Sequence, residues 1–457
     1  MSGARPAIAA LAAAALLAIA AGCTTVDPPG GRVEDRGDTR EPEASPGAFT
    51  ISLFPSDPPP EAWPERWGSR RAGTPGVIAP VEGPLRTLTG ARVGRRGRLR
   101  PDPSDLGQLA ALADTHASGA YLYRFEGPRS FVFLDPRRRL PERFSAEEAP
   151  PPGAADPDEL FVFVSGRVRD RSGATHRPPR VEIQRTWFGL YRPEAGADDK
   201  GTLLFLPGLF GVPGFVNDAI VRSMRRDGWT VVRMLAPPSR YTEREVITVR
   251  GTAGIARAAA SAAERLDDRL AETAYAAEAA LGHARARHPG LADQPVTLFA
   301  ASGSALAAPA VAARLRGQLD AAVLVAGGAG LLSIVEQSAY ADWVDGLQIE
   351  WRGFGAGPDG IDRFLLEQRY LRLSALDPYN RAGALADVPT LLIHAAGDRA
   401  VPAQRGRLLW ERLGRPERWT DPVGHGLLFL TLHAKTGRVL RWIERTLAAD
   451  AATGQGG

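Results

Sequence analysis

Three residues in the second half of the chain have the types, neighbours and order that nucleophilic acyl transfer needs: Ser302, Asp398 and His425. A serine hydroxyl is a poor nucleophile at neutral pH. It needs a base to take its proton and a carboxylate to orient that base. Ser302 lies in VTLFAASGSALAAPAVA, where an apolar run ends at Ala301 and an Ala-rich helical run begins at Gly303. Two residues to either side stand Ala300 and Ser304, both small, as a crowded strand-to-helix turn requires. Ser304 competes as nucleophile, but Leu306 would then occupy a flank that must be small. Asp398 lies in HAAGDRAVP, after the apolar run PTLLIHAA. It stands too early to be only the cap of a helix starting at Pro402. His425 lies between Gly424 and Gly426, on a loop expected just before a final helix over 427–447. The remaining histidines have poorer settings. His394 reads as a satisfied core residue inside a strand, His283 and His288 mark a polar helix end, His433 falls in a helix, and His116 and His176 precede the regular region.

The elements that must hold these residues form a regular series from 158 onward. ELFVFVSGRV and VEIQRTWFGLYRP read as an antiparallel pair of strands. Short Leu/Val/Ile-rich runs then alternate with helices: GTLLFLP, a helix over 213–226, WTVVRML, a long helix over 256–287 stopped by Pro289-Gly290, PVTLFAA, a helix over 303–316, DAAVLVAG, PTLLIHAA and a helix over 402–413. Such alternation predicts an α/β fold, a mostly parallel sheet wound on both faces. Two antiparallel strands ahead of that series, with nucleophile, acid and base in the order Ser302, Asp398, His425, resemble the α/β-hydrolase superfamily. Ala300 and Ser304 stand where that superfamily more often has glycine.

The resemblance implies a serine hydrolase and two backbone donors for the oxyanion. One is the amide of Gly303, at a helix N-terminus; the other is that of Leu209, in Pro207-Gly208-Leu209 after GTLLFLP, with Gly208 permitting close approach. It also implies a cap, for which residues 328–388 read as an irregular insertion carrying Tyr340, Trp343, Trp351, Phe354, Phe364 and Tyr370. Trp343 and Trp351 are the expected pocket residues, although such rings also serve as a lid's own core. Arg352, Arg363, Arg369 and Arg372 are scattered and read as solvent-facing. The expected activity is cleavage of small-molecule carboxylic esters. Peptidase, amidase or acyl-transfer chemistry on the same triad, and a non-catalytic binding role on this fold, stay open at this level.

The N-terminus carries a separate signal. A short segment with Arg5 precedes an unbroken apolar run from Ala7 to Ala21, followed by Gly22 and Cys23, the single cysteine of the chain. That order is a secretory leader's, and the run is short for a spanning helix, which takes about 20 apolar residues. The small residues before Cys23 resemble the lipobox of bacterial lipoproteins, with Ala20 where leucine is usual. The resemblance implies cleavage after residue 22, acylation of Cys23 and, with Thr24 rather than aspartate next, a preference for the outer membrane. Residues 23–48 are polar and rich in Pro and Gly, a flexible tether spanning roughly 25–30 Å. Residues 49–157 form an accessory region with strand-like pieces AFTISLF, GAYLYRF and RSFVFLD, ahead of a hydrolase domain over 158–450.

Composition sets few further bounds. The formal charge is +4 over 457 residues, and lysine occurs only at 200 and 435, so no polyanion partner and no nucleic acid is expected. No Cys-x-x-Cys pair, metal-ligand spacing or nucleotide fingerprint is present, and no cofactor or metal is expected. GLFGVPG lacks the Lys-Ser/Thr of a phosphate loop.

Overall fold

The computed structural model describes residues 79–80, 92–93, 99–100, 121–126, 130–134, 141–145, 157–169, 180–208, 214–236, 245–339, 346–354 and 357–454. The leader, Cys23, the tether, AFTISLF, Leu209, Tyr340 and Trp343 lie outside them.

The body is a mostly parallel, twisted sheet. β1 (Tyr121–Glu126) comes from the accessory region, and β2 (Glu159–Arg169) and β3 (Arg180–Tyr191) are the expected hairpin. There follow β4 (Gly201–Leu206), α1 (Gly214–Arg226), β5 (Trp229–Ala236), β6 (Glu245–Arg250) and α2 (Gly251–Arg287). Next come β7 (Val296–Ala301), α3 (Gly303–Arg314) and β8 (Ala321–Val325). The cap region supplies α4 (Leu331–Gln337), β9 (Leu347–Arg352) and α5 (Gly360–Leu373). The chain ends with β10 (Thr390–Ala395), α6 (Ala403–Arg412), β11 (Glu417–Asp421) and α7 (His425–Gly454).

In the main sheet the order is β1-β2-β3-β5-β4-β7-β8-β10-β11, with the two-residue strand Ala79–Pro80 paired on the outer side of β1. β1 runs antiparallel to β2, β2 to β3 and β3 to β5, while Ala79–Pro80 pairs in parallel with β1. From β5 to β11 every pair is parallel. This strand order, with the crossover that sets β5 outside β4, is the α/β-hydrolase arrangement. The central strands β4, β7, β8 and β10 are buried at every position. Covering helices on both faces explains why they read as continuous apolar runs instead of alternating ones. One face packs Leu204, Leu298 and Leu324 under α2, α3 and the cap; the other packs Phe205, Phe299 and Val323 under α1 and α7. Burying one such leucine contributes about 1.5–3 kcal/mol.

The cap is more regular than the sequence suggests. β9 pairs in parallel with β6 over six residues, from Glu245 opposite Leu347 to Arg250 opposite Arg352. The cap is therefore bound to a segment one hundred residues earlier. A second tie lies in the middle of α2, where Asp267 is fully buried in an otherwise Ala-rich helix. Its carboxylate accepts from Ser374 Oγ at 2.5 Å, Ala375 N at 2.8 Å and Leu376 N at 3.1 Å. Asp377, also fully buried, accepts from the amides of Gly330, Leu331 and Tyr379 and from the Tyr370 hydroxyl. Each charge is thus surrounded by donors, which a buried carboxylate requires. Burial still raises the Asp377 carboxyl above its ordinary pKa. Among the described residues no helix is long and apolar enough to cross a membrane.

Candidate active site

The C-terminal ends of β7 and β10 and the turn after β11 converge at one point. Ser302 is the residue between β7 and α3, with φ 49° and ψ −123°. A positive φ is costly for a residue with a side chain, and it persists only where the surroundings impose it. Here β7 is held between β4 and β8, and Ser302 N donates to Val325 O at 2.7 Å. The turn throws the side chain clear of the sheet. Small neighbours are needed because Ala300, Gly303 and Ser304 are all buried.

Ser302 Oγ lies 3.1 Å from His425 Nε2, and His425 Nδ1 lies 2.7 Å from Asp398 Oδ2. A carboxylate only accepts, so His425 carries its proton on Nδ1, and the Nε2 lone pair faces the serine hydroxyl. The other Asp398 oxygen accepts from Ala400 N at 2.9 Å and Val401 N at 2.8 Å. Asp398 and His425 are buried, and Ser302 is partly exposed. The segments leading to Asp398 and His425 are laced together by Ala396 N to Asp421 O at 2.8 Å and Gly397 N to Val423 O at 2.9 Å. The structure thus brings together the three side chains singled out in the sequence.

His425 does not stand on a loop. It is the first residue of α7, and the glycines at its sides admit a helix start there. That registers Phe429 four residues on, whose ring meets the imidazole edge-on at 4.9 Å between centroids. A helix that begins only at 427, as the sequence suggests, does not register this contact. The i to i+4 spacing was the available signal.

Ser304 does not face the imidazole. Its hydroxyl donates to Pro207 O at 2.7 Å, and the residue is 2 % exposed. Gly208 follows, so close to Ser302 that a β-carbon on it would lie 3.1 Å from Ser302 Cβ. Gly303 is the first residue of α3, and the leading amides of a helix have no partner within it. Leu209, the other expected donor, is among the residues not described.

Trp351 is half-buried in the cap. Its Nε1 donates to Glu336 Oε1 at 3.1 Å, its ring packs edge-on against Phe354 at 5.1 Å, and the Arg363 guanidinium lies 5.9 Å over it. Tyr370 is fully buried. These contacts fit the reading of such rings as the lid's own core. Arg352, Arg363, Arg369 and Arg372 are exposed, as expected. His394 departs from expectation: it is buried next to the C-terminal residue of β10, but its Nε2 has no hydrogen-bond partner among the described residues. Also among the described residues, no group of three His, Cys, Asp or Glu side chains is arranged to hold a metal ion.

Neither a family model nor a curated protein matches the sequence. Solved structures similar to it include an esterase of Pyrococcus furiosus, with 12% identity over 57% of this chain and 86% of that one and a TM-score of 0.34. Est1E from Butyrivibrio proteoclasticus shows 11% identity over 61% and 99%, with a TM-score of 0.37. The acylaminoacyl peptidase of Pyrococcus horikoshii shows 14% identity over 63% and 48%, with a TM-score of 0.39. Overlaps of this size say nothing about what the present chain acts on.

Proposed function

We propose that the chain is a serine hydrolase that cleaves carboxylic esters through an acyl-enzyme, and that Cys23 anchors it by lipid to a bacterial envelope membrane. The observation that carries the catalytic reading is the continuous chain Ser302 Oγ, His425 and Asp398 at 3.1 and 2.7 Å, with the serine on a strained strand-to-helix turn. In the first half-reaction Ser302 Oγ bonds to the ester carbonyl carbon while His425 Nε2 takes the hydroxyl proton. Asp398 holds Nδ1–H and stabilises the imidazolium. The negative carbonyl oxygen is met by the Gly303 amide and by a second amide in the loop after Gly208, for which Leu209 is the candidate. The tetrahedral adduct collapses, the C–O bond to the alcohol breaks, and the alcohol leaves with the proton from Nε2. Water repeats the sequence on the acyl-enzyme and restores Ser302.

The ester reading draws on the aromatic residues within 328–388, whose apolar surface would favour a small to medium apolar acyl group over sugars or charged peptides. The anchor rests on the apolar run that ends in small residues at the sole cysteine. A fluorophosphonate probe applied to the full chain should label Ser302, and Ser302→Ala should remove the label and lower turnover of p-nitrophenyl esters by about 10⁴–10⁶-fold. Turnover of amides or peptides with no ester cleaved at any chain length would replace the esterase reading with an amidase or peptidase one. Mass spectrometry of the mature N-terminus should find a diacylglyceryl-modified Cys23; an unmodified terminus elsewhere ends the lipoprotein reading.

A further inference from the structure

We propose that Arg405 and Glu367 are positioning residues: their ion pair seats the cap on the Asp398 turn and so holds that carboxylate in register with His425. The inference rests on the acyl-transfer reading above and deepens it. Asp398 is oriented locally. One of its oxygens accepts from Ala400 N and Val401 N, which leaves the other for His425 Nδ1. That turn can aim the carboxylate only as well as its own backbone is held, and residues 399–405 are held by the cap.

The hold comes from both sides of α4. Beyond its end, Ala339 N donates to Arg399 O at 2.8 Å, the carbonyl of the residue next to Asp398. Ahead of it, Ala329 N donates to Arg405 O at 3.0 Å, in the first turn of α6. Gly328 threads between these parts: a β-carbon there would lie 2.7 Å from Val401 Cγ1, 3.1 Å from Ile334 Cδ1 and 3.2 Å from Arg405 Cβ. The ion pair then reaches across to α5. Arg405 Nη1 donates to Glu367 Oε1, and Nη2 donates to Glu367 Oε2 at 3.2 Å. The pair closes over the backbone of Gly330, where a β-carbon would lie 3.0 Å from Arg405 Nη1 and 3.0 Å from Glu367 Oε1. Arg405 and Glu367 are 14 and 13 % exposed, against 72 and 37 % for Arg407 and Glu411 on the same helix. Solvent therefore screens the first pair little, and loss of either member strands a mostly buried charge. The two-pronged contact also fixes orientation, which a lysine point charge would not. A cap that moves off α6 takes with it the supports of the Asp398 turn.

The test is a double-mutant cycle on the full chain, with a p-nitrophenyl ester as substrate. Glu367→Gln keeps an acceptor oxygen without the charge, and Arg405→Lys keeps the charge without the fork. Each should lower kcat by about 10-fold with KM little changed, since a misaimed carboxylate weakens the transition state more than ground-state binding. In the Asp398→Asn background the same substitutions should lower kcat by less than about 2-fold, because the carboxylate that they position is already gone. The rate of fluorophosphonate labelling at Ser302 should follow the same pattern and gives a second reading of each corner of the cycle. Should Arg405→Lys fail to fold in a thermal melt, Glu367→Gln completes a cycle by itself. Equal losses in the two backgrounds mark a merely structural pair and overturn the proposal alone. So does full kcat in the single variants, whatever KM does. A wild type that neither labels nor turns over overturns the acyl-transfer reading and the proposal with it.

Discussion

Replacing His394 by asparagine is expected to flatten the acid limb of the stability curve. The ring sits near the C-terminal end of β10, 8 % exposed, with Gly406 packed against its Nδ1 edge and no partner at Nε2 among the described residues. Burial first, and the Arg418 guanidinium second, hold its pKa down to about 4 from the ordinary 6.5, with Asp398 pulling the other way. The folded-state value is depressed, so between about 6.5 and 4 the unfolded chain binds a proton that the folded chain refuses. Stability is therefore lost as pH falls through that window and is unaffected above it. The gap between 6.5 and about 4, at about 1.4 kcal/mol per pH unit, comes to about 3 kcal/mol by the lower end. Urea unfolding followed by tryptophan fluorescence, from pH ~7.5 to ~4, measures it. Carboxylates common to both proteins cancel in the difference, so slope matters and absolute stability does not. Wild type should lose about 3 kcal/mol more than His394→Asn across the window. Parallel curves would mean that the proton enters elsewhere and that the buried neutral ring is not the cause.

Asp398→Asn should keep the fold, because the side-chain carbonyl can still accept from Ala400 and Val401. It should lose about 10⁴-fold in kcat, since an amide no longer enforces the Nδ1–H tautomer; steady-state kinetics beside a thermal melt separate the two. Gly406→Ala should destabilise by about 1–3 kcal/mol in urea unfolding, because the added β-carbon would meet His394 Nδ1 at 2.5 Å in a strand that cannot yield. Asp267→Ala should cost about 3–5 kcal/mol by leaving the Ser374 hydroxyl and the amides of Ala375 and Leu376 without their acceptor. Limited proteolysis of that variant should cut first between 338 and 388, and unchanged resistance there would refute the tie.

The arrangement of Ser302, Asp398 and His425 was legible because two of the three follow an apolar run. VTLFAAS and LLIHAAGD show a buried strand followed at once by a polar side chain, and the Gly-His-Gly of the third member marks a tight corner. The parallel core was legible for the same reason. Polar or half-exposed pieces were not. β11, ERWTD, is an edge strand with three charged residues and no apolar run to announce it. β6 alternates, but its faces are only half buried, and its partner lies one hundred residues away, so no local signal gives the pairing. The regular structure of the cap was hidden likewise, because Asp267 looks like any solvated charge on a helix until Ser374 is folded against it. The isolation of His394 depends on Gly406 and on the walls around the ring, which come from other elements.

The pairing of β6 with β9 also constrains how this architecture can be recombined. In sequence the cap looks like a cassette that could be cut out at its two ends and exchanged for another. In space its sheet takes one strand from Glu245–Arg250 and the other from Leu347–Arg352, and its base is fastened to Asp267. A swap of residues 328–388 alone would leave a strand without its neighbour and a buried carboxylate without Ser374 and two amides. Any contiguous fragment that carries both halves of the cap sheet also carries β7, the Ser302 turn and β8. The cap and the Ser302 turn are therefore inherited as one unit, and chimeras should work when the crossover points fall before 245 and after 388, and fail when they fall between.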